Sequence, residues 1–99
     1  MTMHALALRV ELRLPLADSL KAKRALITPI IEGSRRRYQV AASELESQDA
    51  WHHASLGFVA VSGSAGHTTE VIDAVERFVW SFPEVEVEDA LRSWLEEDR

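Results

Sequence analysis

Six of the eleven basic residues of this chain stand in two short runs. Lys21, Lys23 and Arg24 fall within the stretch DSLKAKRAL, and Arg35, Arg36 and Arg37 are consecutive. Cations at this density suit an anionic partner, and a phosphate polymer such as RNA is the natural candidate. If one helix carries both runs, they lie on the order of 20 Å apart, a span a phosphate backbone can cover. Cations near a helix start meet the positive end of its dipole, at a cost of up to about 1 kcal/mol. Free amides at the same end attract anions, so a bound anion would relieve that cost. A plainer reading stands beside this one. The stem of Lys23 falls within the apolar stripe of the helix, Arg24 at its flank, and only Lys21 clearly outward, so part of the run is packing chemistry with snorkelling heads. Arg35–Arg37 suit the negative end of the dipole without any ligand.

Other residue types offer less. His52 and His53, with Asp49 and Glu46 close by, have the makings of a metal cluster, but adjacent histidines usually point apart and His4 and His67 are remote in sequence. No serine has a nucleophile-elbow context, and SGSAG lacks the lysine of a phosphate loop. No catalytic constellation emerges, and neither a cofactor nor a metal is expected. RNA readers of the kind that stack bases on central strands need aromatic residues there. Here LGFVAV offers Phe58 alone.

The elements that must carry these residues can be read from periodicity. Leu6, Leu8, Val10 and Leu12 alternate with Ala7, Arg9, Glu11 and Arg13, which predicts a half-buried strand ended by Pro15. A helix follows from Leu20 to about Tyr38, capped by Ser19 or Asp18. Its apolar line continues across Pro29, so one helix kinked near Ala25–Pro29 is expected rather than two. Residues 39–47 read as an edge strand, since charge at an edge discourages further pairing. Residues 55–63 form the most apolar strand, with Leu56 and Phe58 on one side and Val59 and Val61 on the other. A second helix runs from Ala65 to about Ser81 behind a Ser64 cap. Thr68, Val71, Ile72, Val75, Phe78, Val79 and Phe82 make its buried stripe, and Trp80 falls on the polar side. Residues 84–93 are ambiguous between strand and helix. A strand is preferred, because it completes βαββαβ.

That order is the split βαβ, or ferredoxin-like, unit. The expected fold class is α+β: one domain over residues 1–99, a four-stranded antiparallel sheet with two helices on one face. The other face is then open, with Arg9, Glu11 and Arg13 on it beside one apolar set from the central strand. Arg9, Arg13, Phe58 and Trp80 are the candidate interface residues, tryptophan being enriched at binding hot spots.

Composition narrows the class. With 99 residues, 46% hydrophobic and 27% charged, the chain is an ordinary globular domain. There is no cysteine, so neither disulfides nor thiolate sites arise. Arg9 and Glu11 interrupt the N-terminal apolar run, which excludes a signal peptide or membrane span there and makes a cytoplasmic protein the expectation. Net charge is −5, but residues 1–37 hold eight basic groups against three acids, while the rest holds three against thirteen. Such a two-signed surface fits an anionic ligand or a second copy of the chain.

SLKAKR at 19–24 and ESQDAWHHASLGFV at 46–59, in that order, resemble the YlxP-like family of small uncharacterised bacterial proteins. Ser19, Leu20, Lys21, Lys23 and Arg24 fill its S-L-K-x-K-R pattern. Asp49, Trp51, Ala54, Leu56 and Gly57 fill its D-x-W and small–apolar–Gly strand entry. The resemblance runs over nearly the whole chain and implies a ferredoxin-like fold. The family has no settled biochemical activity. Its genes often neighbour translation-initiation and ribosome-maturation genes, so the resemblance implies a tie to the ribosome or to RNA. The resulting expectation is a non-catalytic cytoplasmic protein that associates with RNA or a ribosomal particle through its basic first helix. The alternative is a homodimeric protein–protein module without nucleic-acid contact.

Overall fold

In a computed structural model the elements follow the order β1 (His4–Arg13), α1 (Leu20–Tyr38), β2 (Ala41–Glu44), β3 (His53–Ser62), α2 (Ala65–Trp80) and β4 (Glu86–Leu95). The structure describes residues 2–46 and 49–95. Ser47, at the end of the expected second strand, and 96–99, the end of the acidic tail, lie outside them. The strands form one antiparallel sheet in the order β2-β3-β1-β4. No helix among the described residues is long and apolar enough to cross a membrane.

β1 is central, and its alternation sorts the two faces. Leu6, Leu8, Val10 and Leu12 are buried beneath the helices, together with Ala54, Leu56, Phe58 and Ala60 of β3. Ile27 and Ile30 of α1 and Ile72, Val75 and Val79 of α2 close this core. Cross-strand partners share a face, so the register puts Ala5, Ala7, Arg9, Glu11 and Arg13 on the open side with Val61, Val59, Gly57, Ser55 and His53. β4 adds Leu95, Ser93 and Leu91 to that side. A register shift against Glu11/Leu12 leaves Glu88 as an extra residue, so strict alternation fails within EVEVED.

The helix ends follow local chemistry. The Ser19 hydroxyl accepts from the Ala22 amide at 3.0 Å, and the Ser64 hydroxyl from the His67 amide at 3.2 Å. Ser19, rather than Asp18, is therefore the cap of α1. That helix is one element with Pro29 inside it, and it ends where Gln39 turns left-handed (φ 56°) and donates its amide to the Arg35 carbonyl. α1 and α2 touch at Gly33, where a Cβ would come within 2.6 Å of the Phe78 ring. Phe78 also meets Tyr38 and Phe82 edge-on.

Candidate functional site: the open face of the sheet

Two surfaces hold the residues singled out by sequence, the outer side of α1 and the open face of the sheet. On α1 the cations separate. Lys21 and Arg24 are exposed, as is Arg36. At 100° per residue these three fall on one outward side with Thr28 and Glu32. Lys23 is a correction to the anion patch. Its side chain is 1% exposed, with Nζ 2.8 Å from a Glu44 carboxylate oxygen and donating to the Ala50 carbonyl at 2.7 Å. It ties α1 to β2 and to the β2–β3 connection, and it presents nothing to solvent. Arg35 is also engaged, with Glu32 at 2.6 Å and the Ala42 carbonyl at 2.6 Å. The Arg37 guanidinium lies 4.9 Å from the centre of the Phe78 ring. Of the six cations singled out as candidate anion-binding residues, three are tied to the chain's own groups.

The expected interface residues separate as well. Phe58 is a second correction: it is 1% exposed, in the core under the helices. Its neighbours Val59 and Val61 take the open face instead, because side chains alternate along a strand. Arg9 and Arg13 do stand on that face. Trp80 is 60% exposed, but on the far side of the molecule, beside Asp73, Glu76 and Arg92.

The open face has two unlike ends. At one, Ala7, Ala41, Ser43, Gly57 and Ser93 are small, and Leu45, Val59 and Leu91 stand around them, leaving a mostly apolar trough of about 450 Å³ that Arg9 borders where it meets the other end. Val61 and Leu95 extend the exposed apolar surface, both at 61% exposure. Leu45 lies over Gly57, its methyls 3.1 Å from where a Cβ would be.

At the other end the groups are polar and mutually satisfied. One oxygen of Glu11 accepts from the Ser55 hydroxyl at 2.6 Å and lies 3.2 Å from His53 Nε2. The other accepts from Arg9 Nε at 3.1 Å, and Arg9 also pairs with Glu46 at 3.3 Å. His53 Nδ1 lies 3.7 Å from Glu88. Partial burial pushes the Glu11 carboxyl up, but the hydrogen bonds from Ser55, Arg9 and His53 outweigh it and hold it below the usual carboxylate range. The set resembles a Ser–His–acid group only in composition. Both serine and histidine are turned to the same carboxylate rather than to each other, and Ser55 is buried. Its chemistry is charge neutralisation on a sheet surface. No group of three His, Asp or Glu with metal-binding geometry occurs among the described residues.

Sequence reasoning passed over Ser55 and His53 as partners of Glu11, and Glu88 as a partner of His53, because only the strand register brings them together. It also passed over Leu45, Leu91 and Leu95, though alternation in ALRSWL carried a signal for the last two.

The model of the family described as "Protein of unknown function (DUF503)" matches residues 6–92. The chain is 37% identical over 79 residues to a Bacillus subtilis protein named "Uncharacterized protein YlxP", covering 80% of this chain and 86% of that one. Among solved structures, a de novo designed protein with a ferredoxin fold, determined by solution NMR, aligns with a TM-score of 0.51 and 12% identity over 92% of this chain and 82% of its own. That likeness concerns the fold alone.

Proposed function

The chain belongs to the DUF503 family, and from that premise we propose that it is a non-catalytic cytoplasmic binding module that self-associates through the open face of its sheet. One observation carries this reading: an apolar trough of about 450 Å³ bordered by the exposed side chains of Leu45, Val59 and Leu91. A contiguous apolar surface of this kind on a small domain marks an interaction site. Sheets that stack face to face lie about 10 Å apart with interdigitating side chains. The leucine and valine rim of one copy suits the Ala7–Gly57 floor of another. A domain of this size buries only about 60–70% of its unfolded surface by itself, so a second copy adds needed core.

Light scattering tests the reading. The expected mass is twice the 11.1 kDa of the chain. The double variant Val59→Asp, Val61→Asp is expected to halve it while keeping its circular dichroism. A wild-type monomer at all accessible concentrations sinks the proposal.

A second reading rests on a different observation, the shared outward side of Lys21, Arg24 and Arg36. These three support salt-sensitive contact with RNA or a ribosomal particle. The variant to make replaces these three by alanine and spares Lys23. Three lost phosphate contacts to single-stranded RNA should reduce the slope of log affinity against log salt by about 2. An unchanged slope removes this surface as the contact.

A further inference from the structure

The sheet has two edges, and they are guarded differently. β2 is four residues long, and Arg35 donates to its Ala42 carbonyl at 2.6 Å. β4 is ten residues long, and among the described residues it pairs with β1 alone. An edge strand leaves a row of backbone N–H and C=O groups that template another strand, and charges or short length usually blunt it. Along β4 the blunting is confined to the first half, where Glu86, Glu88 and Asp89 are exposed. The second half, Ala90–Leu95, contains a single charged residue, Arg92. Its guanidinium is turned onto α2, at 2.8 Å from Asp73 and 3.0 Å from Glu76. Leu91, Trp94 and Leu95 are exposed there.

We propose that the outer edge of β4 accepts an extended strand of a partner protein, paired antiparallel, apolar opposite Ala90–Leu95 and carrying Lys or Arg toward its C-terminal end. Backbone pairing supplies the affinity, as in other strand-addition complexes, and the alternate side chains supply selectivity. The cations are placed by charge: an antiparallel partner brings its C-terminal end opposite Glu86–Asp89, and opposite charges across strands are favourable. The same charge argues against a second copy of β4 as the occupant. In sequence β4 has acids on both sides of its apolar stretch, Glu86–Asp89 before it and Glu96–Asp98 after it. Antiparallel self-pairing therefore sets acid against acid. The proposal does not depend on self-association through the open face: it uses the backbone edge of β4, although the Leu91 and Leu95 side chains also border that face.

The probe is a fluorescent peptide of the length of β4, alternating valine and threonine and ending in a pair of lysines. Its anisotropy should rise on binding to the full chain, and the affinity should fall with salt. A peptide ending in glutamates should bind about tenfold more weakly, since opposite charges across the strands become like charges. The triple variant Glu86→Lys, Glu88→Lys, Asp89→Lys should reverse this preference. Should that variant not fold, the two peptides and the salt series on the wild-type chain still decide. Hydrogen exchange locates the contact: amides in 90–95 should slow on adding the peptide and those in 41–44 should not. The variant Val59→Asp, Val61→Asp should bind the peptide as the wild type does, whatever its oligomeric state. Three results would overturn the proposal: no binding, equal binding of the two peptides, or protection confined to Val59 and Val61. Protection of 90–95 that grows with protein concentration in the absence of peptide would overturn it too, by assigning the edge to a second copy.

Discussion

Phe58 and Val59 are adjacent in β3 and serve opposite sides of the sheet. The helix side is closed: Phe58 lies among Leu6, Leu8, Leu56, Ile72 and the other buried residues, with almost no contact with water. The open side is built from the same strands, yet its centre is lined by Ala7 and Gly57 and its rim by exposed valines and leucines. Both sides also hold a carboxylate. On the closed side Glu44 meets the buried Lys23, while on the open side Glu11 is shared among Ser55, Arg9 and His53. The difference teaches that hydrophobicity alone does not say which side is core. Coverage by the helices does, and it sets how much each residue contributes to stability.

Substitutions can break or sharpen this contrast. The largest effects belong to the closed side. Lys23→Ala leaves the Glu44 carboxylate in a buried place without its cation, and should cost about 3–5 kcal/mol in denaturant unfolding. Lys21→Ala, two residues away and exposed, should stay within about 0.5 kcal/mol. Equal losses would mean that the burial of Lys23 is not what matters. Phe58→Ala should also cost about 3–5 kcal/mol through the cavity it leaves.

Gly33→Ala probes the helix layer that closes the core. Its methyl group would collide with the Phe78 ring, and the expected loss is about 1–3 kcal/mol by overpacking. A neutral result would show that Phe78 can swing aside without cost.

Glu11→Gln moves to the open side and should cost about 1 kcal/mol at neutral pH, since Glu11 is partly solvated. The sign with pH is fixed by direction. The folded-state pKa of Glu11 lies below its ordinary value of 4.5, so its contribution is present above that value. It is lost as pH falls through the lowered pKa. The difference between wild type and Glu11→Gln should therefore shrink in acid, and a gap that persists there would contradict the network. Smallest of all, Val59→Ser should change the unfolding free energy of the monomer by less than about 0.5 kcal/mol while weakening any association. A loss several times larger would show that the open side is covered within a single chain.

Much of this architecture was legible from periodicity. The strict alternation of β1 and the capped stripe of α2 specify element, face and direction by local rules. The ferredoxin-like order followed once residues 84–93 were read as a strand, which β4 at 86–95 confirms with a shift of two residues. That shift hid Leu95, and the extra residue at Glu88 hid the register of the acidic half. The candidate site was less legible. Glu11 is more than forty residues from His53 and Ser55, and only the pairing of β1 with β3 makes them neighbours. Arg35–Arg37 look alike in sequence, yet each meets a different surrounding, a carboxylate, solvent or an aromatic ring. For Lys23 the wheel placed the stem correctly but could not supply Glu44 or the Ala50 carbonyl.

The burial of Lys23 gives this protein a built-in chemical clock. Lys21 and Lys23 are the only lysines in the chain. An amine-reactive reagent will label Lys21 in the native state, whereas Lys23 reacts only when the α1–β2 junction opens. The ratio of the two modified peptides in a mass spectrum therefore reads the opening free energy of that junction, with the exposed lysine as internal standard. Any partner that clamps the first helix will slow the label at Lys23, whichever surface it grips.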